Sequence, residues 1–136
     1  MHHVPVAADV AAAVARRDPQ QLALALTETV RLRALLPGGV IESHGRVNVA
    51  ECLPSLFAEF DTVEVLESAG EAVVDRLLIH YRLALHQGSS RWVCTQTAIC
   101  KVVDGRLAVV DLLCSGFREI GENDDTNAPS SARLVG

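Results

Sequence analysis

Four polar residues in the second half of the chain have side chains that could support acid–base chemistry: Asp75, Tyr81, Gln96 and Asp111. Strict alternation places each on the same side of an extended segment as apolar side chains. A carboxylate held among apolar groups has a raised pKa, because burial disfavours its charged form, and it can then act as a general acid or base near neutral pH. A nearby hydroxyl could stabilise the oxyanion that forms when such a group removes a proton next to a carbonyl. The pattern predicts Asp75, Asp111 and Tyr81 as candidate catalytic residues.

Each of these residues also has a structural explanation, and the sequence leaves both open. Asp75 lies near a turn and can face water at the end of a strand. Asp111 can form an ion pair across the sheet with an arginine such as Arg33. Tyr81 can be a core aromatic with its hydroxyl bonded to backbone, and Gln96 can form a cross-strand hydrogen bond.

The histidines and cysteines indicate no cofactor or metal site. His80 and His86 alternate onto the opposite side from Tyr81, together with Arg82, which favours a solvated or dimer-facing strip over catalysis. His44 and Glu42 share a face, where an exposed pair is favoured over an acid–base couple. The four cysteines form no CxxC pair and have no ligand spacing for zinc. They are predicted to be reduced thiols in a cytoplasmic protein.

Three long extended segments must position the candidate residues: Glu71–His86, Arg91–Val103 and Arg106–Phe117. Glycine-containing turns join them, which predicts a β-meander. Strands of this length, at about 3.3 Å per residue, form a sheet long enough to curl and enclose a space. In the third segment both alternating sets are equally apolar, so a β-bulge decides whether Asp111 or Leu112 faces inward.

The elements that precede the meander alternate between helical and extended periodicity. They are predicted to be a helix over Val6–Arg17, a helix from Asp18-Pro19 to near Thr27, a hairpin of Val30–Leu36 and Val40–His44, a helix over Arg46–Phe60 with a kink or break at Pro54, and a strand over Thr62–Ser68. Residues 1–120 are thus predicted to be one domain. The polar stretch Gly121–Gly136 is predicted to be disordered, because it cannot repay its ordering entropy.

Composition excludes two classes of partner. The chain has 136 residues and a net charge of -5, with a pI near 5.4. Nucleic acids and anionic membranes bind through basic patches, so neither is an expected partner. The sequence shows no secretory leader and no apolar run approaching the length of a membrane span, which also predicts a cytoplasmic protein.

Several local patterns together resemble a known superfamily. They are the Arg17-Asp18-Pro19 start of the second helix, the hairpin with its turn, the helix after Gly45, and the apolar–acidic–Gly–basic–aliphatic run Val102–Leu107. With the order of elements, they resemble the nuclear-transport-factor-2-like superfamily and its SnoaL-like branch. This resemblance implies a cone-shaped α+β fold: a strongly curved antiparallel sheet with three helices on its concave face, a pocket between them, and a convex face used for dimerisation.

The branch includes polyketide cyclases, ketosteroid isomerase and scytalone dehydratase, but this chain departs from their catalytic patterns. Leu32 and Ala34 stand where the isomerase has an acid in the first hairpin, and its meander acid falls near Ala98. The resemblance therefore favours a homodimer that binds a hydrophobic small molecule without a cofactor. Its predicted ligand-binding residues are Trp92, Gln96, Cys94, Leu32, Phe57 and Leu112. The alternative is a cofactor-independent cyclase, isomerase, dehydratase or epoxide hydrolase with a pocket Asp.

Overall fold

A computed structural model describes residues 7–121 and has an α+β fold, as predicted. Within that range the helices are α1 (Ala7–Ala15), α2 (Pro19–Ala23) and α3 (Arg46–Ser55). The strands are β1 (Leu26–Leu36), β2 (Gly39–His44), β3 (Thr62–Val73), β4 (Arg76–Gln87), β5 (Ser90–Val103), β6 (Arg106–Cys114) and β7 (Arg118–Ile120). No helix among the described residues is long and apolar enough to cross a membrane. The tail predicted to be disordered lies outside the described residues, apart from Gly121.

Local chemistry sets the ends of two helices. Asp18 caps α2: its carboxylate accepts a hydrogen bond from the Gln21 N–H at 3.1 Å, and Pro19 occupies the first turn, where no backbone bond is lost. Pro54 lies in the last turn of α3, which ends at Ser55 rather than at Phe60. The predicted break at Pro54 is therefore confirmed, and the predicted helix was five residues too long.

The strands form one curved sheet in the order β2-β1-β6-β5-β4-β3, with β7 added to β5. Every pairing is antiparallel except that of β1 with β6, which is parallel. The sheet is thus mixed, whereas the sequence predicted an antiparallel one. The connection between β1 and β6 contains α3 and four other strands, and a parallel pair needs a connection of that length.

The first meander strand was placed wrongly. The segment Glu71–His86 is not one strand, because β3 continues to Val73 and the chain reverses at Val74 and Asp75. The sequence places Gly70 in the link between the predicted strand Thr62–Ser68 and the segment Glu71–His86. In the structure it lies inside β3, where a Cβ would sit 3.4 Å from the Ala7 backbone nitrogen. The glycine thus allows the start of α1 to approach the sheet closely.

The concave face of the sheet carries the core, and a register shift decides which residues of β6 belong to it. The β5–β6 register shifts between Lys101 and Val102. In β6 the odd-numbered Leu107 is buried, but further along the strand the buried residues are even-numbered: Val110, Leu112 and Cys114. The irregularity thus turns Leu112 inward and Asp111 outward, because one extra residue moves the following side chains to the other face.

Candidate functional site

The interior between the helices and the concave face is almost filled by side chains. The remaining cavity has a volume of about 10 Å³, and its lining includes Leu22, Tyr81, Ala98 and Leu112. A space of that size holds a single water molecule at most. The open apolar pocket expected from the sequence is therefore closed in this structure.

A buried polar pair lies on the concave face, and one of its members, Tyr81, lines this cavity. Tyr81 on β4 and Gln96 on β5 are directly opposite each other and are 1% and 0% exposed. The Tyr81 hydroxyl donates a hydrogen bond to Gln96 Oε1 at 2.5 Å. Burial raises the pKa of Tyr81 above its ordinary value, which keeps the hydroxyl protonated and able to donate. The pairing agrees with the cross-strand hydrogen bond considered for Gln96.

The amide nitrogen of Gln96 is left without a protein partner. Its Nε2 is buried and makes no hydrogen bond within the described residues. Gln96 is also the one buried residue in 7–121 whose side chain is an amide or a charged group. An unpaired buried donor costs about 1–3 kcal/mol. The Gln96 Nε2 donor is thus one of the buried polar atoms that the described residues leave unsatisfied.

Neither of the two candidate carboxylates faces inward. Asp75 lies in the β3–β4 turn with 75% of its side chain exposed, and it forms an ion pair with Arg76 at 2.9 Å. Asp111 lies on the convex face, where its Oδ1 is 3.3 Å from Arg33 Nε. The predicted inward location of Asp75 is wrong, and for Asp111, whose facing the sequence left to a β-bulge, the outward alternative holds. The structural explanations given for both residues are confirmed. The structure therefore does not assemble the Asp–Tyr acid–base pair.

The histidine strip lies where the sequence put it, away from Tyr81. His80 contacts the Thr97 hydroxyl at 3.0 Å, and Glu67 lies 3.7 Å from Arg82 and 4.0 Å from His80. His44 and Glu42 are exposed on β2. Within residues 7–121 there is no group of three or more His, Cys, Asp or Glu side chains that could hold a metal ion.

Aromatic side chains close the interior at the β7 end of β5. The Phe60 ring packs against Trp92 with centroids 6.4 Å apart and against Phe117 at 4.9 Å, while Phe57 lies 5.8 Å from Phe117. Trp92 Nε1 is buried there and has no hydrogen-bond partner among residues 7–121. Phe57 and Trp92 were predicted to line a site. Phe60 and Phe117 were not among the predicted ligand-binding residues.

Of the predicted ligand-binding residues, the structure brings only some together. Leu112 lines the small cavity with Tyr81, and Gln96 lies on the same inner face. Leu32 is fully buried in the general core. Cys94 is also fully buried, and its sulfur lies 3.6 Å from that of Cys114.

Two open grooves lie outside the interior. The first, of about 490 Å³, runs between α2 and the β5–β6 turn and is lined by Leu22, Leu24, Asp104 and Arg106, among others. Leu22 lines both this groove and the inner cavity. A single leucine on the five-residue α2 therefore borders both spaces.

The second groove, of about 520 Å³, lies on the convex face. Its floor and walls are aliphatic, and Leu35, Val40, Ile99 and Leu113 are 51%, 63%, 53% and 56% exposed. Arg33, Glu42 and Asp111 also line it. Exposed aliphatic residues in one patch are typical of an interaction surface.

Comparisons with known proteins show the fold. No family model and no curated protein sequence matches this chain. A Catenulispora acidiphila protein with a ketosteroid isomerase-like fold, in complex with trimethylamine, is similar at a TM-score of 0.67 and 14% identity, covering 82% of this chain and 87% of its own. A protein described as a polyketide cyclase from Xanthomonas campestris has a TM-score of 0.60 and 18% identity, with coverages of 78% and 84%. An LEH-like epoxide hydrolase from M. tuberculosis has a TM-score of 0.55 and 17% identity, covering 79% of this chain and 78% of its own.

These similarities confirm the class of structure that the sequence resembled. The chain has the nuclear-transport-factor-2-like, SnoaL-like fold. At identities below 25% the likeness concerns the fold and carries no activity with it.

Proposed function

We propose that this protein is a small-molecule-binding domain of the SnoaL-like type. Its inner cavity takes a compact, mainly apolar molecule that carries one hydrogen-bond acceptor. The observation behind this proposal is the Gln96 Nε2 donor, which is fully buried and unpaired beside an otherwise apolar interior. A ligand carbonyl that accepts from Nε2 would complete the hydrogen bonding of the amide, and apolar walls would hold the rest of the molecule.

Binding requires the interior to open, and Leu22 is the side chain that would move. It borders both the 10 Å³ cavity and the outer groove of about 490 Å³. A change of its rotamer, with a small shift of the short α2, would join the two spaces. The ligand therefore selects a minor open state, and part of its affinity is spent on populating that state.

The proposal assigns binding without a reaction. Asp75 and Asp111 both lie outside the interior and pair with arginines. General base catalysis needs the base within hydrogen-bond reach of the proton that it removes. The neighbours described as a cyclase and an epoxide hydrolase therefore support the shape of the site rather than a particular chemistry.

A pair of probes matched in shape tests the proposed donor. Cyclohexanone carries an acceptor and methylcyclohexane does not, so cyclohexanone should bind the parent protein about fivefold more tightly, since one hydrogen bond contributes about 1 kcal/mol. Binding is measured by the shift of the Gln96 side-chain NH₂ resonances on titration. Gln96→Leu should bind both probes equally. Equal affinities in the parent, or an unmoved Gln96 resonance at saturation, would refute the proposal.

We propose further that the convex groove pairs with a second copy of the chain. A two-fold interface brings one patch against itself, so a patch that carries charges is self-complementary when it contains both signs. This groove does, with Arg33 at its wall and Glu42 on the neighbouring strand, around exposed aliphatic residues. The free thiols among the described residues fit a reducing, cytoplasmic setting for this dimer.

The dimer is tested by mass in solution. At micromolar concentration, light scattering after gel filtration should give twice the chain mass for the parent. Leu113→Glu should give a monomer, because it places a charge in the groove. Val74→Glu is the matched control, since Val74 is 99% exposed in the distant β3–β4 turn, and it should remain dimeric. A monomeric parent would overturn the proposal.

A further inference from the structure

Cys94 and Cys114 face each other on adjacent strands of the inner face. Cys114, the last residue of β6, is directly opposite Gln96, and Cys94 lies two residues along β5 on the same side. Their sulfurs are 3.6 Å apart. The sulfurs of a disulfide are about 2.05 Å apart, so bonding needs an approach of about 1.5 Å.

The two sulfurs differ in their surroundings. Cys114 keeps 4% of its surface exposed, whereas Cys94 has 0%. The Cys114 sulfur also accepts a hydrogen bond from the Gly116 N–H at 3.4 Å. Cys114 is therefore the slightly more exposed residue of the pair, and its sulfur has a backbone donor available to stabilise a thiolate.

The pKa values of the two thiols also differ, in the same sense. The hydrogen bond from Cys94, which outweighs burial, and the hydrogen bond from the Gly116 N–H lower the pKa of Cys114 to about 6. The hydrogen bond to Cys114 and burial raise the pKa of Cys94 above its usual range. Of the two thiols, Cys114 is therefore the one that loses its proton more readily.

We propose that Cys94 and Cys114 are a reversible thiol–disulfide pair that reacts with hydrogen peroxide. The Cys114 thiolate attacks one oxygen, so an S–O bond forms, the O–O bond breaks, and hydroxide leaves as water after taking a proton. The Cys94 sulfur then attacks the Cys114 sulfur; the S–S bond forms and the S–O bond breaks. The second hydroxide takes the Cys94 proton, and the net reaction joins two thiols with one peroxide to give a disulfide and two waters.

The test maps the cross-link in the folded protein. The reduced parent is treated with equimolar hydrogen peroxide at pH 7, then alkylated and digested. The Cys94 and Cys114 peptides should be joined, and dithiothreitol should release them. Because this uses the parent chain, it does not depend on whether a variant folds. A folded parent in which both thiols stay free while peroxide is consumed elsewhere would overturn the proposal, and so would a cross-link that appears only in urea.

Variants in which one cysteine is replaced test the order of the two steps. Cys94→Ser should stop at a sulfenic acid on Cys114 that dimedone traps. Cys114→Ser should slow the oxidation of Cys94 at least about tenfold, since the thiolate is the nucleophile. Cys100→Ser is the matched control, because Cys100 is also buried on β5 and its loss should leave cross-linking unchanged. Equal rates in Cys114→Ser and the parent would contradict the assigned order.

Discussion

Removing the Tyr81 hydroxyl should destabilise the protein by leaving a whole amide unpaired in the core. In the parent, Gln96 Oε1 accepts from Tyr81 while Nε2 has no partner among the described residues. Tyr81→Phe leaves both amide atoms unsatisfied at a residue that is 0% exposed. We expect a loss of about 2 kcal/mol in the free energy of unfolding, within the range of about 1–3 kcal/mol for an unpaired buried group.

The double variant separates this explanation from simple loss of packing. Gln96→Leu removes the unpaired Nε2 but leaves the Tyr81 hydroxyl without its acceptor. The loss in the free energy of unfolding should therefore be smaller than for Tyr81→Phe. Combining the two substitutions removes every polar atom of the pair. The double variant should lie within about 0.5 kcal/mol of the parent or exceed it, because replacing both partners by apolar groups is nearly neutral or stabilising. The coupling energy should then be at least about 1 kcal/mol.

Urea unfolding under reducing conditions measures the cycle. With a slope of about 2 kcal/mol per molar, Tyr81→Phe should lower the midpoint by about 1 M. Thr97→Val is the control, since its hydroxyl contacts His80 on the other side of β5, and it should change stability by less than about 0.5 kcal/mol. Additive single substitutions, or an unchanged midpoint for Tyr81→Phe, would refute the account of Gln96 as a poorly satisfied buried group.

Three other perturbations test separate features. Arg17→Ala should cost about 2–3 kcal/mol in urea unfolding, because the guanidinium donates to three backbone carbonyls after α3 at 3.1, 2.5 and 3.1 Å; a neutral result would contradict this. Gly116→Ala should cost about 1–3 kcal/mol, since φ is +81° and the new Cβ would lie 2.6 Å from Pro37 Cγ; Gly38→Ala, with open space around it, is the control. The lowered pKa of Cys114, about 6 against an ordinary value of 9.0, should make stability rise from pH 6 to pH 9. Cys114→Ser should flatten that rise in urea midpoints, and an unchanged slope would disprove it.

The fold was predictable because its signals are local and agree with one another. Asp18-Pro19 marks the start of α2 by its capping chemistry, and Pro54 marks the end of α3. Alternation identified the inner faces of β4 and β5 correctly, so Tyr81 and Gln96 were found as inward polar residues. Alternation predicts which side chains face inward wherever one face of a strand is buried and the register is unbroken.

The errors arise where a longer-range contact overrides the local signal. Gly70 was predicted to lie in the link between two strands, but its role is to admit the start of α1, a contact across more than sixty residues of chain. The true reversal at Val74 and Asp75 contains no glycine, and Val74 adopts a φ of +56°. Placing Asp75 in a strand followed directly from that error. For Asp111 the register shift at Lys101 and Val102 was invisible, because both faces of β6 are apolar in sequence.

The closed interior links the stability of this protein to its proposed binding. A core filled to a residual 10 Å³ is well packed, yet it keeps a buried donor at Gln96 that lowers stability. If the side chain at position 96 were needed only for packing, leucine there and phenylalanine at position 81 would fill the same space. That apolar pair would leave no buried polar atom without a hydrogen bond. The expected outcome of the double variant is therefore a protein as stable as the parent that no longer distinguishes cyclohexanone from methylcyclohexane. Replacing one pair of side chains would then remove ligand selectivity while leaving stability unchanged. That result is expected of a binding site and not of a purely structural core.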